Sequence, residues 1–351
     1  MPMPPSEPLP PRRVAKLLNY SVDSKLFVIF VLMIQLMAIV NLTPDSFFAP
    51  SRASAGEALE RIRRFREAGA SIVDLGAVST RPGAAPVSAR TEWRRLSPVL
   101  RQLAESDLLR GRSQGQTGKV PAPNGEGSII YRGPSPANQP YSNPEAISDG
   151  EGPNCEIGPS PLQVSIDTTR AEIVRKAYKV IGPFIVNDIS AGEDDPEMLT
   201  TVAELGLPFI AMHKRGNPQT MNGLCDYPNG VMAELLRYFG DFAERAEKLG
   251  IGDWILDPGM GFAKTNDQCW EILERLEELK VFSRPILIGA ADKRFTKAVP
   301  DRITAWYSHQ NEWPWCCPGI TSTPSAPDGT DIAHALSLAH GADILRVHRI
   351  A

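Results

Sequence analysis

The sequence predicts an α/β chain folded as a (β/α)8 TIM barrel, and three observations carry that prediction. Eight short apolar runs alternate with stretches whose apolar residues recur at helical spacing, and a helix follows each of the first seven runs. Most of the runs end on a polar residue at the edge of a loop, which is where a barrel gathers its chemistry. No Gly-x-Gly-x-x-Gly turn follows the first run, as a doubly wound dinucleotide-binding sheet would want.

The first strand, residues 37–40, has an apolar lead-in from Leu26 and ends in the polar loop NLTPDSFF at 41–48. Arg12, Arg13 and Lys16 precede the apolar stretch, an arrangement also met in targeting or anchoring segments. Its shortness and its passage straight into a polar loop favour a strand. Residues 1–25 read as a Pro-rich, then basic, tail or linker ahead of a domain at 26–351. Ala55, Ala58, Leu59, Ile62 and Phe65 then mark a helix that Gly69 ends. Strand two, residues 71–75, opens into GAVSTRPGA, and residues 89–109 form the next helix. Residues 111–161 are rich in Gly, Pro, Ser, Asn and Gln and read as a disordered surface insertion. Further strands follow at 162–166, 183–186, 207–212, 254–257, 285–288 and 342–347. Helices are predicted at 169–180, 196–205, 231–249, 267–280 and 331–340. Residues 297–328, with Trp306, Trp313, Trp315 and the Cys316-Cys317 pair, read as a second irregular insertion. The barrel is expected to lack its final helix after strand eight.

A chain of 351 residues with 42% hydrophobic content has ample core for one large domain. The net charge of -4 and the lack of a long basic stripe argue against a nucleic-acid partner, and no membrane partner is expected. Five scattered Cys without a C-x-x-C pair suit reduced thiols in the cytoplasm, with the mitochondrion as the alternative.

The strands end in Asn41, Asp74, Asp167, Asn187, Asp257, Lys293 and the pair Arg346/His348. Carboxylates accept from an amino-substituted ring edge, and Asn offers both an acceptor and donors. That set suits a neutral heterocycle. Arg346 and His348, two apart on one strand, face the same way and suit an anion such as phosphate. Each residue also has a structural role available: Asp74 and Asp167 can cap the next helix, Asn187 can serve a turn. Their recurrence at nearly every strand end favours a shared site. The stretch WILDPGMGFAK, residues 254–264, is central. Pro258 stops the strand, while Gly259 and Gly261 allow a sharp turn and a close backbone approach. Asp257 can act in the site or simply cap that turn.

MAIVNLTPDSFF, GASIVDLGAVSTRPGA, VSIDTTRAEIV, IVNDISAG, AMHKRGNPQTM, ILDPGMGFAKT and GADILRVHRI, in this order, resemble the dihydropteroate synthase family, in a fungal-type wording. The resemblance covers roughly residues 36–349. It implies condensation of 6-hydroxymethyl-7,8-dihydropterin diphosphate with 4-aminobenzoate in folate biosynthesis. It further implies Asp167, Asn187, Asp257 and Lys293 at the pterin, with Asp257 and Lys293 as the catalytic pair. Asn41, Arg346 and His348 would hold the diphosphate, Asn41 also contacting Mg2+. Thr80, Arg81, Pro82 and Phe262 would lie by the aminobenzoate, and Asp45, Ser46 and Phe47 in a mobile lid. A homodimer is the family's common form.

Departures from the family pattern support an alternative, a catalytically impaired pterin-binding or structural remnant. Ala291-Asp292 replaces the usual Ser-Arg, placing an anion near an anionic substrate. Val78 stands where Glu is usual, and Ala49-Pro50-Ser51 replaces Asp-Gly-Gly.

Overall fold

The computed structural model describes residues 34–43, 55–79, 87–109, 162–217, 219–309 and 328–350. Expectations for the tail, the first insertion, Asp45–Phe47, Thr80–Pro82, Trp313, Trp315 and Cys316-Cys317 lie outside the described residues. Gln35–Ala351 is one compact unit.

Eight strands alternate with helices: β1 Gln35–Asn41, β2 Ile72–Gly76, β3 Gln163–Asp167, β4 Ile185–Asp188, β5 Phe209–Met212, β6 Trp254–Asp257, β7 Leu287–Ile288 and β8 Ile344–Val347. Each pairs in parallel with its neighbours, in the order β6-β5-β4-β3-β2-β1-β8-β7. A single parallel bridge, Leu256 with Ile286, joins β6 to β7 and nearly closes the cylinder. The expected barrel is therefore the observed fold.

The helices are α1 Ala55–Glu67, α2 Ala89–Glu105, α3 Ala171–Ile181, α4 Met198–Leu205, α5 Val231–Leu249, α6 Asn266–Glu274, α7 Asp301–His309 and α8 Gly329–Ala339. Their ends follow local chemistry. Ser88 caps α2, and capping boxes start α6 (Thr265 with Gln268) and α8 (Asp328 with Asp331). Gly206 and Gly250 end α4 and α5 in left-handed conformation. No helix among the described residues is long and apolar enough to cross a membrane.

Two expectations need correction. The helix expected over 267–280 stops at Glu274 and continues as a tighter 3-10 segment, Leu276–Phe282. Part of the second insertion is helical, since α7 lies inside it. Pro300 accepts from Ile303 N–H and Thr304 N–H at 2.9 and 3.0 Å, and Ile303 is buried. Pro-Asp before a buried Ile is a helix-start signal that the surrounding irregular composition hides.

Side-chain alternation sorts the barrel interior into layers. Met37, Ile72, Ile185, Ile210, Ile255, Leu287 and Ile344 form one buried apolar cluster. Two residues further along, the same strands present Ile39, Asp74, Asn187, Met212, Asp257, Gly289 and Arg346. The polar residues thus stand one pleat above a dry floor, at the strands' C-terminal ends.

Candidate active site

Asp74 is the hub of the polar layer. Its carboxylate accepts from Ser165 Oγ at 2.8 Å and from Asn187 Nδ2 at 3.0 Å, and it lies 3.7 Å from Arg346 Nη1. One pleat higher, Asn41, Asp167, Lys293 and His348 join Asp74 and Arg346 around a cavity of about 150 Å3. Asn187 and Asp257 are buried in the layer that holds Arg346. Asp257 Oδ1 accepts from Gly259 N–H at 2.7 Å, so the turn-capping role and a place in the site belong to the same carboxylate. Neither Asp74 nor Asp167 caps a helix: Arg170 is the N-cap of α3, and Asp195 receives its Ala171 N–H. Asp188, not Asn187, takes the turn, accepting from Ser190 and Gly192. Phe262 packs with its ring centroid 4.7 Å from Lys293 Nζ.

Burial pushes the carboxyls of Asp74, Asp167 and Asp257 upward, and Asp167, also facing Asp74, reaches about 8. Burial opposes the Arg346 charge as well, but Asp257, Asp74 and Asp167 outweigh it and hold the guanidinium charged. Burial takes His348 down to about 4, so at neutral pH it offers a neutral imidazole. Within the layer that holds Arg346, the buried acceptor Asn187 Oδ1 and the buried donor Arg346 Nε lack a hydrogen-bond partner among the described residues. Unpaired buried polar groups are costly, and an acceptor and a donor left in one layer fit a ligand edge that carries both an N–H and a ring acceptor.

Other groups hold the strand-end loops. Thr168 Oγ1 donates to the buried Glu92 at 2.6 Å, and Arg170 pairs with the same carboxylate. Arg95 donates to Ala77 O at 2.8 Å, and Arg61 to His348 O at 3.3 Å.

Asp74, read from sequence as a strand-end residue, was not assigned a binding role; its hub position depends on Asn187, 113 positions away. Two glycines were overlooked. A Cβ on Gly76 would stand 3.4 Å from Asn41 Oδ1 and 3.5 Å from Asp167 Oδ2, and one on Gly289 would stand 3.2 Å from Arg346 Nη2. Glycine in a barrel strand is the available signal for such close approach. Of the departures, Val78 and Ala291 line the cavity, whereas the Asp292 carboxylate lies 3.4 Å from Arg349 Nη2. Its charge is turned to a surface partner.

The chain matches the family model described as pterin binding enzyme over residues 37–109 and 158–348, with the break at the first predicted insertion. It is 32% identical to the dihydropteroate synthase of Synechocystis sp. over 317 residues, which is 90% of this chain and 84% of that protein. The chain belongs to the dihydropteroate synthase family of pterin-binding enzymes. It is also 32% identical over 329 residues to the folic acid synthesis protein fol1 of Pneumocystis carinii, covering 90% of this chain. It spans only about a third (34%) of that relative's length. Among solved structures, Xanthomonas albilineans dihydropteroate synthase with 4-aminobenzoic acid superposes with a TM-score of 0.59 at 26% identity, covering 91% of this chain and 88% of that one.

Proposed function

We propose that this dihydropteroate synthase family member joins 6-hydroxymethyl-7,8-dihydropterin diphosphate to 4-aminobenzoate, releasing pyrophosphate and forming 7,8-dihydropteroate for folate synthesis. The observation that carries the reading is the buried polar layer, with its open acceptor on Asn187 and open donor on Arg346, directly below a cavity ringed by Asn41, Lys293 and His348. Asp167, Asn187, Asp257 and Lys293 bind the pterin edge and fix its exocyclic methylene. The arylamine nitrogen forms the new C–N bond as the methylene C–O bond breaks and pyrophosphate departs; the amine proton is then lost. Arg346 stabilises the growing negative charge and neutral His348 donates to it. Phe262, packed under Lys293, receives the aminobenzoate ring.

Asn41 Oδ1 and Asp167 Oδ2 both border Gly76, and oxygen donors of this kind are the ones Mg2+ takes. When bound, Mg2+ supplies charge to the leaving diphosphate. The enzyme works as a homodimer, in the cytoplasm or, as the alternative, the mitochondrion.

Incubating the purified chain with both substrates and Mg2+ should release pyrophosphate in step with dihydropteroate. Tight pterin diphosphate binding without turnover would instead establish a non-catalytic pterin-binding protein. Sedimentation measures the oligomeric state.

A further inference from the structure

Lys264 closes the DPGMGFAK stretch and has no part in the reaction as described above. Its side chain is 2% exposed, a position lysine occupies only with strong compensation. Four polar contacts offset part of that cost, and burial still lowers the lysine from 10.5 to about 7. Nζ lies 2.8 Å from His213 Nδ1, 3.0 Å from Phe262 O, 3.1 Å from Gly259 O and 3.4 Å from His213 O. Three ammonium protons therefore face four acceptors, three of them main-chain carbonyls. For His213 Nδ1 to accept, its proton must sit on Nε2, which faces Glu234 Oε1 at 3.8 Å. Glu234 is itself held by Arg215 at 3.1 Å and Arg237 at 2.9 Å, and the His213 ring rests edge-on against Tyr238.

These contacts join two loops. Gly259 and Phe262 belong to the loop after β6, and His213 directly follows β5. We infer that Lys264 is a positioning residue: its buried ammonium staples the β6 loop to the end of β5 and so sets where Asp257 and Phe262 stand. Both ends of the loop carry the consequence. At the near end, Gly259 N–H donates to Asp257 Oδ1, so the carboxylate's orientation follows the loop backbone. At the far end, the Phe262 carbonyl is one of the ammonium's partners, and its ring packs with Ile189, Met212 and Met221 under Lys293. Tyr227 OH, donating to Ala263 O at 2.8 Å, braces the adjoining peptide. What Asp257 and Phe262 touch rests on the condensation reading; the staple itself does not.

The test compares the full chain with Lys264→Met, which keeps the stem and removes the ammonium. Three readouts are needed: amide hydrogen exchange across 257–264, thermal unfolding, and KM and kcat for each substrate. Exchange in that segment should accelerate about tenfold or more while the amides of β1–β3 stay protected. KM for 4-aminobenzoate should rise about tenfold and KM for the pterin diphosphate several-fold, with a smaller change in kcat, because Phe262 and the Asp257 carboxylate both shift with the loop. Lys264→Gln, which retains an amide donor, should fall between the two and serves if the methionine form does not fold. Segment exchange within twofold of wild type, or a lower unfolding temperature with both KM values unchanged, would reduce Lys264 to a packing residue and overturn the inference. If the wild type itself releases no pyrophosphate, the condensation reading fails, while the exchange comparison still decides the staple.

Discussion

Replacing Gly259 by Ala probes the tightest backbone crossing in the candidate site. Gly259 has φ of +70°, where an L side chain is strained, and a Cβ there would stand far inside 3.0 Å of the His213 carbonyl oxygen. The left-handed conformation alone costs roughly 1–2 kcal/mol for a non-glycine residue. Relieving the overlap requires the β6 loop or the end of β5 to shift, an overpacking cost of about 1–3 kcal/mol. The sum, ~2–5 kcal/mol, is a large part of a typical domain stability of about 5–15 kcal/mol. Gly261→Ala is the internal control: its φ is +78°, but its Cβ would meet nothing within 4 Å, so only the conformational part applies. Urea unfolding of both variants should separate them by about 1–3 kcal/mol, Gly259→Ala the weaker. The pyrophosphate-release assay should show Gly259→Ala losing about 10²-fold in kcat/KM and Gly261→Ala far less, since displacement of about 1 Å disrupts positioning. Equal losses in the two variants would refute the close-approach argument and leave only backbone conformation.

Three further outcomes are expected. His334 is buried with both ring nitrogens lacking a partner among the described residues, and burial lowers it from 6.5 to about 4. Between those values the unfolded chain takes up a proton that the native chain refuses, so stability falls as pH drops from 6.5 towards 4, by up to ~3 kcal/mol for this group. His334→Leu should make that acid slope shallower in urea titrations, though His348 and His213, also depressed, keep part of it; an unchanged slope counts against the assignment. Asp167, raised from 3.8 to about 8, keeps a proton that the unfolded chain gives up, so its contribution is present below 3.8 and lost as pH rises through about 8. Asp167→Asn, neutral throughout, should flatten the decline between pH 6 and about 8, and identical pH profiles would exclude a proton held on Asp167 in that range. Gly289→Ala should crowd the Arg346 guanidinium and weaken pterin diphosphate binding several-fold, seen by calorimetry, at a stability cost near ~1 kcal/mol.

Much of this architecture was legible because barrel strands obey a period of two. Ile255 and Asp257, Ile185 and Asn187, Ile344 and Arg346 are each one pleat apart, so an apolar floor and a polar layer can be read from spacing alone. Gly259 was legible for the same kind of reason, as a glycine beside a proline at a strand end, and its close approach is to His213 O. Gly261 differs: it has the left-handed φ but open space around it. What could not be read was any property made by partners distant in sequence. Asp74 looks like one more strand-end acid until Ser165, Asn187 and Arg346 converge on it. Lys264 looks like a helix-preceding surface lysine until its ammonium meets His213, 51 positions earlier. Asp292 looked like a charge beside the anion site until Arg349 drew it aside. The same reasoning indicates what the site asks of a ligand. Asp74, Asp167 and Asp257 share the buried guanidinium of Arg346, an arrangement with excess acid and one acceptor on Asn187 unfilled. A ring edge rich in N–H donors offsets that excess without adding a buried charge, whereas a carboxylate presented to the same layer would deepen it. On the proposed reading the polar layer therefore favours the amino-substituted heterocycle, and the anionic end of the substrate falls to Arg346 with Asn41 and His348 at the outer pleat of the cavity.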